Sequence, residues 1–202
     1  MQVSKDYIRD SIIEASKSLF LRKGYNKVSM REIADKSKVG LSNIYNYFEN
    51  KNDLFRVVVQ PALNVFKDIE IRHTQESMRL LDIQSDKFIV QSFKERLARI
   101  KNNKEAITIL LFHSQGSSYE KFREEFTDRL TKMMRESFAS QKMANSRINV
   151  DVTDFSLRMH IVWQFTLMEE LIKNKVPMRE LDKIIDECVR FETYGWRELL
   201  RV

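Results

Sequence analysis

The chain has 202 residues, with 35 Lys and Arg against 29 Asp and Glu, a formal charge of +6 and a pI of about 9.3. A folded chain of this size exposes roughly 10,000 Å² of the about 35,000 Å² it shows when extended, so a sizeable core forms without staples. Hydrophobic residues at 43% and aromatics at 10% exclude a disordered chain, and a single cysteine, Cys188, excludes an internal disulfide framework and a Cys-based zinc site.

Glycine and proline together number six, about 3% where roughly 12% is usual. That excludes the many reversals of a β-sandwich or barrel and predicts an all-α fold of long helices. The most continuous apolar stretch, 106–112, is far too short for a membrane span. The first twenty residues are punctuated by charges, with no apolar leader core. A cytoplasmic protein without membrane association is therefore expected. Charge is uneven: residues 1–51 carry a net +4 and residues 52–202 a net +2. That asymmetry suits a polyanion-binding head on a nearly neutral body.

The first helix is predicted over 4–22, where Ile8, Ile12, Ala15, Leu19 and Phe20 recur at three- and four-residue steps. Gly24 ends it in a left-handed conformation. Ser29 and Glu32 form a capping box, with Val28 and Ile33 as the hydrophobic staple around it. The short second helix breaks at Ser37-Lys38-Val39-Gly40, and a third covers about 41–47. Asn50 caps a longer helix to about 70, bent at Pro61. Further helices are predicted at roughly 75–82, 85–101, 103–114, 117–143, 151–174 and 178–200. A second capping box is expected at Ser117 and Glu120, and Pro177 in the first turn of the last helix. Residues 1–50 form one predicted domain and 51–202 another.

Ile33, Ala34, Val39, Ile44 and Phe48 are spaced to bury the inner faces of a helix-turn-helix, whose second helix enters the major groove. Leu41, Ser42, Asn43, Tyr45, Asn46 and Tyr47 are left for its other faces. Ser42, Asn43 and Asn46 suit base edges, while Tyr45 and Tyr47 can donate to phosphates. Lys51 and Ser29 lie at helix starts that favour an anion, and Arg31 and Lys38 are nearby cations. These residues are the candidate contacts to double-stranded DNA.

The stretch from Ile12 to Leu54 resembles the DNA-binding domain of the TetR family. The resemblance rests on Leu19-Phe20, Lys23-Gly24-Tyr25, Val28-Ser29-Met30-Arg31-Glu32-Ile33-Ala34, Ile44-Tyr45-Asn46-Tyr47-Phe48 and Lys51. It implies about nine helices, a homodimer joined through the last two, an effector bound in the carboxyl-terminal core, and a transcriptional regulator, usually a repressor. Lys38 stands where the family commonly has glycine, which requires a positive φ of a lysine at a cost of about 1 kcal/mol. Gly40 replaces the usual polar cap, and Ser42 the usual glycine.

In the body, Phe and Met at helical spacing suit a core or an apolar effector pocket. Polar residues inside apolar stripes mark Phe112, His113, Phe126, Met159, His160, Trp163 and Gln164 as candidate pocket residues. On the last helix, Leu181, Ile184, Ile185, Cys188, Phe191 and Gly195 form a stripe extended by Trp196 and Leu199. With Phe155, residues 184, 188, 191 and 195 are the candidate dimer contacts. Three widely spaced histidines make no metal signature, and no cofactor is expected. Without a phosphate loop, nucleophile elbow or paired catalytic carboxylates, no catalytic residue is assigned and an enzyme is not expected. Two functions fit: a dimeric repressor released by a small, largely apolar effector, or a DNA-binding regulator whose body binds a protein partner.

Overall fold

A computed structural model describes residues 5–79, 86–144, 149, 151–174 and 176–201. Among them are nine α-helices: α1 Lys5–Lys23, α2 Met30–Ser37, α3 Leu41–Ile44, α4 Lys51–Arg79, α5 Asp86–Asn102, α6 Lys104–Phe112, α7 Phe122–Ala144, α8 Asp154–Lys173 and α9 Met178–Leu200. No described residue lies in a strand. The chain forms two compact units, residues 1–64 with 103–123, and 65–102 with 124–202. The unit holding the helix-turn-helix thus runs past residue 50 and takes in a second, distant stretch of chain.

In the first unit the predicted inner face is buried: Ile12, Leu19 and Phe20 of α1 pack with Ile33, Ala34, Ile44 and Phe48, while Val39 is half-buried. An aromatic cluster anchors this core. Phe55 lies edge-on to Phe20 and Tyr25, with centroids 5.1 and 5.0 Å away. Tyr119, from the loop after α6, closes the cluster at 6.3 Å.

That loop is bolted on. Tyr25 N donates to the His113 carbonyl at 2.8 Å. Asn52 exchanges two 2.9 Å bonds with Ser118, donating to its hydroxyl and accepting from its amide. Gly116 has φ +83, and a Cβ there would stand 1.8 Å from Asn26 Oδ1. Lys17 of α1 pairs with Glu105 of α6 at 2.6 Å.

The second unit contains α5, α7, α8, α9 and the carboxyl-terminal part of α4. Phe66, Phe126 and Phe165 form a triangle of rings with centroids 5.1 to 5.8 Å apart. A second cluster joins Met134, Phe138, Val152, Leu157, Trp196 and Leu200. Ion pairs hold α4 on two sides. Asp68 is shared by Arg72 and Arg99 at 3.0 and 2.6 Å, Arg72 also reaches Glu95 at 3.0 Å, and Arg129 of α7 bonds Glu70 at 2.8 Å.

Several helix ends differ from expectation. A helix to 70 and another over 75–82 are one helix through Arg79, because no glycine or proline follows Pro61 to stop it; residues 80–82 lie outside those described. The helix expected from 117 starts at Phe122. The Ser117 hydroxyl donates back to the Ser114 carbonyl at 2.6 Å, and Glu120 accepts from Gly116 N at 3.0 Å, so the supposed capping box builds a turn instead. Pro177 sits at the cap position just before α9, not in its first turn. Gly24 takes a positive φ of 76, but its ψ of 159 is extended, not the left-handed helical value expected; this corner is essentially restricted to glycine.

Candidate nucleic-acid interface and effector cavity

The turn between α2 and α3 follows from local chemistry. Ser29 Oγ accepts from Glu32 N at 3.2 Å, and the Glu32 carboxylate accepts from Ser29 N at 3.0 Å, completing the capping box. Val28 and Ile33 flank it, both buried. Lys23 holds the outer oxygen of Glu32 at 2.5 Å. Lys23, followed by the Ser29 amide, keeps the Glu32 carboxyl below its ordinary 4.5. Lys38 ends α2 at φ 57 and ψ 30, the left-handed position the sequence required of it. Asn50 Oδ1 accepts from Asp53 N at 2.9 Å at the start of α4.

The short third helix is continued by turn bonds, Asn46 N to Asn43 O at 3.1 Å and Tyr47 N to Ile44 O at 3.0 Å. It buries Ile44 and turns outward Ser42, Tyr45 (49% exposed) and Asn46, with Leu41, Asn43 and Tyr47 half-buried beside them. Asn46 Nδ2 donates to Asn43 Oδ1 at 3.2 Å, so the two amides form one polar unit. Arg31 and Lys38 are exposed.

Lys51 is the member of the candidate set that points elsewhere. Its Nζ donates to the Tyr25 and Val28 carbonyls at 2.9 and 3.0 Å and lies 4.0 Å from the Tyr25 ring centroid. Burial lowers its pKa from the ordinary 10.5. Two of its three N–H groups therefore hold the segment between α1 and α2, a role its place at a helix start gave no hint of.

The second unit encloses a cavity of about 40 Å³ between Phe66 and Ile69 of α4, Phe93, Arg96, Leu97 and Ile100 of α5, Phe126 and Leu130 of α7, and Ile161, Gln164, Phe165, Leu167 and Met168 of α8. It is apolar except for Arg96 and Gln164. Of the seven candidate pocket residues, Phe126 and Gln164 line it. Phe112 and His113 belong to the other unit, where the His113 carbonyl fastens Tyr25.

Met159 is 46% exposed, and Trp163 lies against Phe191 at 5.9 Å. His160 ties α8 to α9: Trp196 Nε1 donates to its Nδ1 at 3.1 Å. Arg96 went unnoticed in the sequence. The usable signal was a cation inside the stripe Phe93, Leu97, Ile100 at helical spacing.

The candidate dimer residues split. Phe155 and Phe191 are 73% and 72% exposed, joined by Tyr194 at 63% and Leu199 at 50%. Gly195 faces open space, and Ile184 and Cys188 are half-buried. Ile185 and Trp196, expected on the same stripe, are buried on the opposite face. Burial raises the Cys188 thiol, with Glu192 and Glu187 adding to the effect. Among the described residues no helix is long and apolar enough to cross a membrane.

Residues 12–58 match the family model for bacterial regulatory proteins of the tetR family. The HTH-type transcriptional regulator YfiR of Bacillus subtilis is 30% identical over 60 residues, 30% of this chain and 29% of that protein. The biofilm operon icaADBC negative regulator IcaR of Staphylococcus epidermidis is 26% identical over 70 residues, 35% of this chain and 38% of that one. The matched segment thus spans about a third of these relatives.

Across nearly the full length, the fold is similar to a TetR-family regulator from Syntrophomonas wolfei (TM-score 0.61, 18% identity, covering 95% of this chain and 97% of that one). It is also similar to NalD of Pseudomonas aeruginosa, the secondary repressor of the MexAB-OprM multidrug efflux pump (TM-score 0.56, 18% identity, 96% and 98%). At such identities the likeness is one of fold. By its amino-terminal domain and its architecture the chain belongs to the TetR family, whose members are DNA-binding transcriptional regulators and not enzymes.

Proposed function

We propose that the chain works as a cytoplasmic homodimer that represses transcription from an operator in double-stranded DNA and is released by a small, largely apolar effector. The observation that carries the reading is the polar face of α3, with Ser42, Asn43, Tyr45 and Asn46 turned outward over a buried Ile44 and flanked by Arg31 and Lys38. Ser42, Asn43 and Asn46 read base edges. Tyr45, Tyr47, Arg31, Lys38 and the Ser29 helix start position the backbone, and Leu41 adds apolar contact.

Exposed Phe155, Phe191, Tyr194 and Leu199 on α8 and α9 supply a self-complementary face, and helix-turn-helix heads work in pairs on half-sites. Repression accords with IcaR and NalD, both named as negative regulators. Phe66 and Ile69 of the cavity wall lie on α4, the helix that starts at Lys51 in the other unit. An effector that parts the cavity walls therefore acts on a helix common to both units. A 100-fold loss of operator affinity requires about 2.7 kcal/mol of coupling.

Genome-wide footprinting with the purified protein, followed by a mobility-shift assay on the recovered sites, tests the DNA half of this reading. No retained duplex at low salt would defeat it. The second reading, a body that binds a protein partner, is favoured by the small free volume of the cavity. It gains if operator complexes survive every small molecule tried but dissociate on adding a purified protein.

A further inference from the structure

We propose that the cavity of the second unit takes a slender apolar molecule ending in a single carboxylate, with Arg96 as its anchor. This rests on the effector reading above and adds the ligand's chemistry to it. Arg96 is three residues after Phe93 and four before Ile100, on the stripe of α5 that faces inward. Its Nε is removed from solvent, and its guanidinium carbon lies 5.4 Å from the Phe93 ring centroid. A guanidinium set into an apolar wall is costly unless an anion meets it, and its planar fork matches a carboxylate with two parallel bonds.

Gln164 supplies the second polar contact. Trp196 donates to His160 Nδ1, so the neutral ring carries its proton on Nε2, which faces the Gln164 amide at 3.0 Å. That proton calls for the amide oxygen, since the two amide ends interchange by rotation. The N–H₂ end of Gln164 is then the end turned to a ligand, a second donor for the same carboxylate. The remaining wall, including the Phe66, Phe126 and Phe165 triangle, offers only apolar contact.

One cation and one amide donor suit a monoanion, not a polyphosphate. A free volume of about 40 Å³ holds only a few water-sized spheres. The tail must therefore open the cavity, and a ligand that binds only the opened form shifts the protein toward it.

The test uses the full-length protein and three probes below their micellar concentrations: dodecanoate, dodecanol and dodecyltrimethylammonium, titrated by calorimetry. The expected result is dodecanoate at least tenfold tighter than the other two. Arg96→Met should bring dodecanoate down to the dodecanol level while leaving dodecanol within about twofold, and Arg96→Lys should restore much of the difference. Leu130→Phe, which fills the cavity, should weaken dodecanoate and dodecanol alike.

Equal binding of dodecanoate and dodecanol by the unmodified protein overturns the assignment of charge but leaves the effector cavity standing, and that comparison needs no variant to fold. Undiminished dodecanoate binding by Arg96→Met removes the anchor. Failure of all three probes to bind a preparation active on DNA overturns the cavity reading itself.

Discussion

Two lysines of the head carry opposite expectations. Lys38 holds a left-handed conformation that glycine adopts without cost. Lys38→Gly should raise the stability to urea by up to about 1 kcal/mol while lowering duplex affinity and reducing the slope of log affinity on log salt by about one. Lys51→Met should do the reverse, lowering the melting temperature through loss of its bonds to the Tyr25 and Val28 carbonyls and leaving the salt slope unchanged. Anisotropy titrations across salt, with matched denaturation curves, read both.

Glu32 gives a pH dependence. Its folded pKa is depressed, so its contribution is complete above its ordinary value of 4.5 and is lost as pH falls through the lower folded value. Glu32→Gln should therefore flatten the fall of the urea midpoint below that pH. The capping box and the strained Lys38 were legible because each depends on neighbours within a few residues. The direction of Lys51 was not, because its acceptors lie 23 and 26 residues upstream.

Among the elements, α1, α2, α5, α8 and α9 lie within a few residues of where periodicity and caps set them. The misread joints share a cause. A capping-box pattern describes which bonds can form, and at Ser117 they form within a turn held by Asn52 and Asn26, residues far away in sequence. Gly116→Ala is the sharp test. Its Cβ would meet Asn26 Oδ1 at a positive φ, and the variant should lose roughly 1–3 kcal/mol of stability by urea denaturation. Adding Asn26→Gly should recover the part due to the clash and not the part due to φ. On α9 the stripe was visible in outline, but which of its two edges faces inward depends on α7 and α8, so Trp196 was assigned to the wrong side.

For the whole molecule, the all-helical architecture was legible from the shortage of glycine and proline, and the family from a compact run of residues in the head. The effector cavity was half legible: Phe126 and Gln164 stand out along the chain, whereas Arg96 and the α4 wall are brought beside them only by packing. Assembly is tested at this scale. Phe191→Glu, on a residue 72% exposed in the isolated chain, should convert a dimer to a monomer in sedimentation. Operator affinity should then fall at least tenfold, while the melting temperature of the isolated chain barely changes, since no core contact is lost.

The head is assembled from two separate lengths of chain. A gene fragment encoding only residues 1–64 would keep all of the helix-turn-helix, yet it would lack Tyr119 against Phe55, Ser118 for Asn52 and the His113 carbonyl for the Tyr25 amide. Transplanting this reader onto another scaffold therefore means carrying residues 103–123 along with it, or supplying a substitute lid for the exposed aromatic floor.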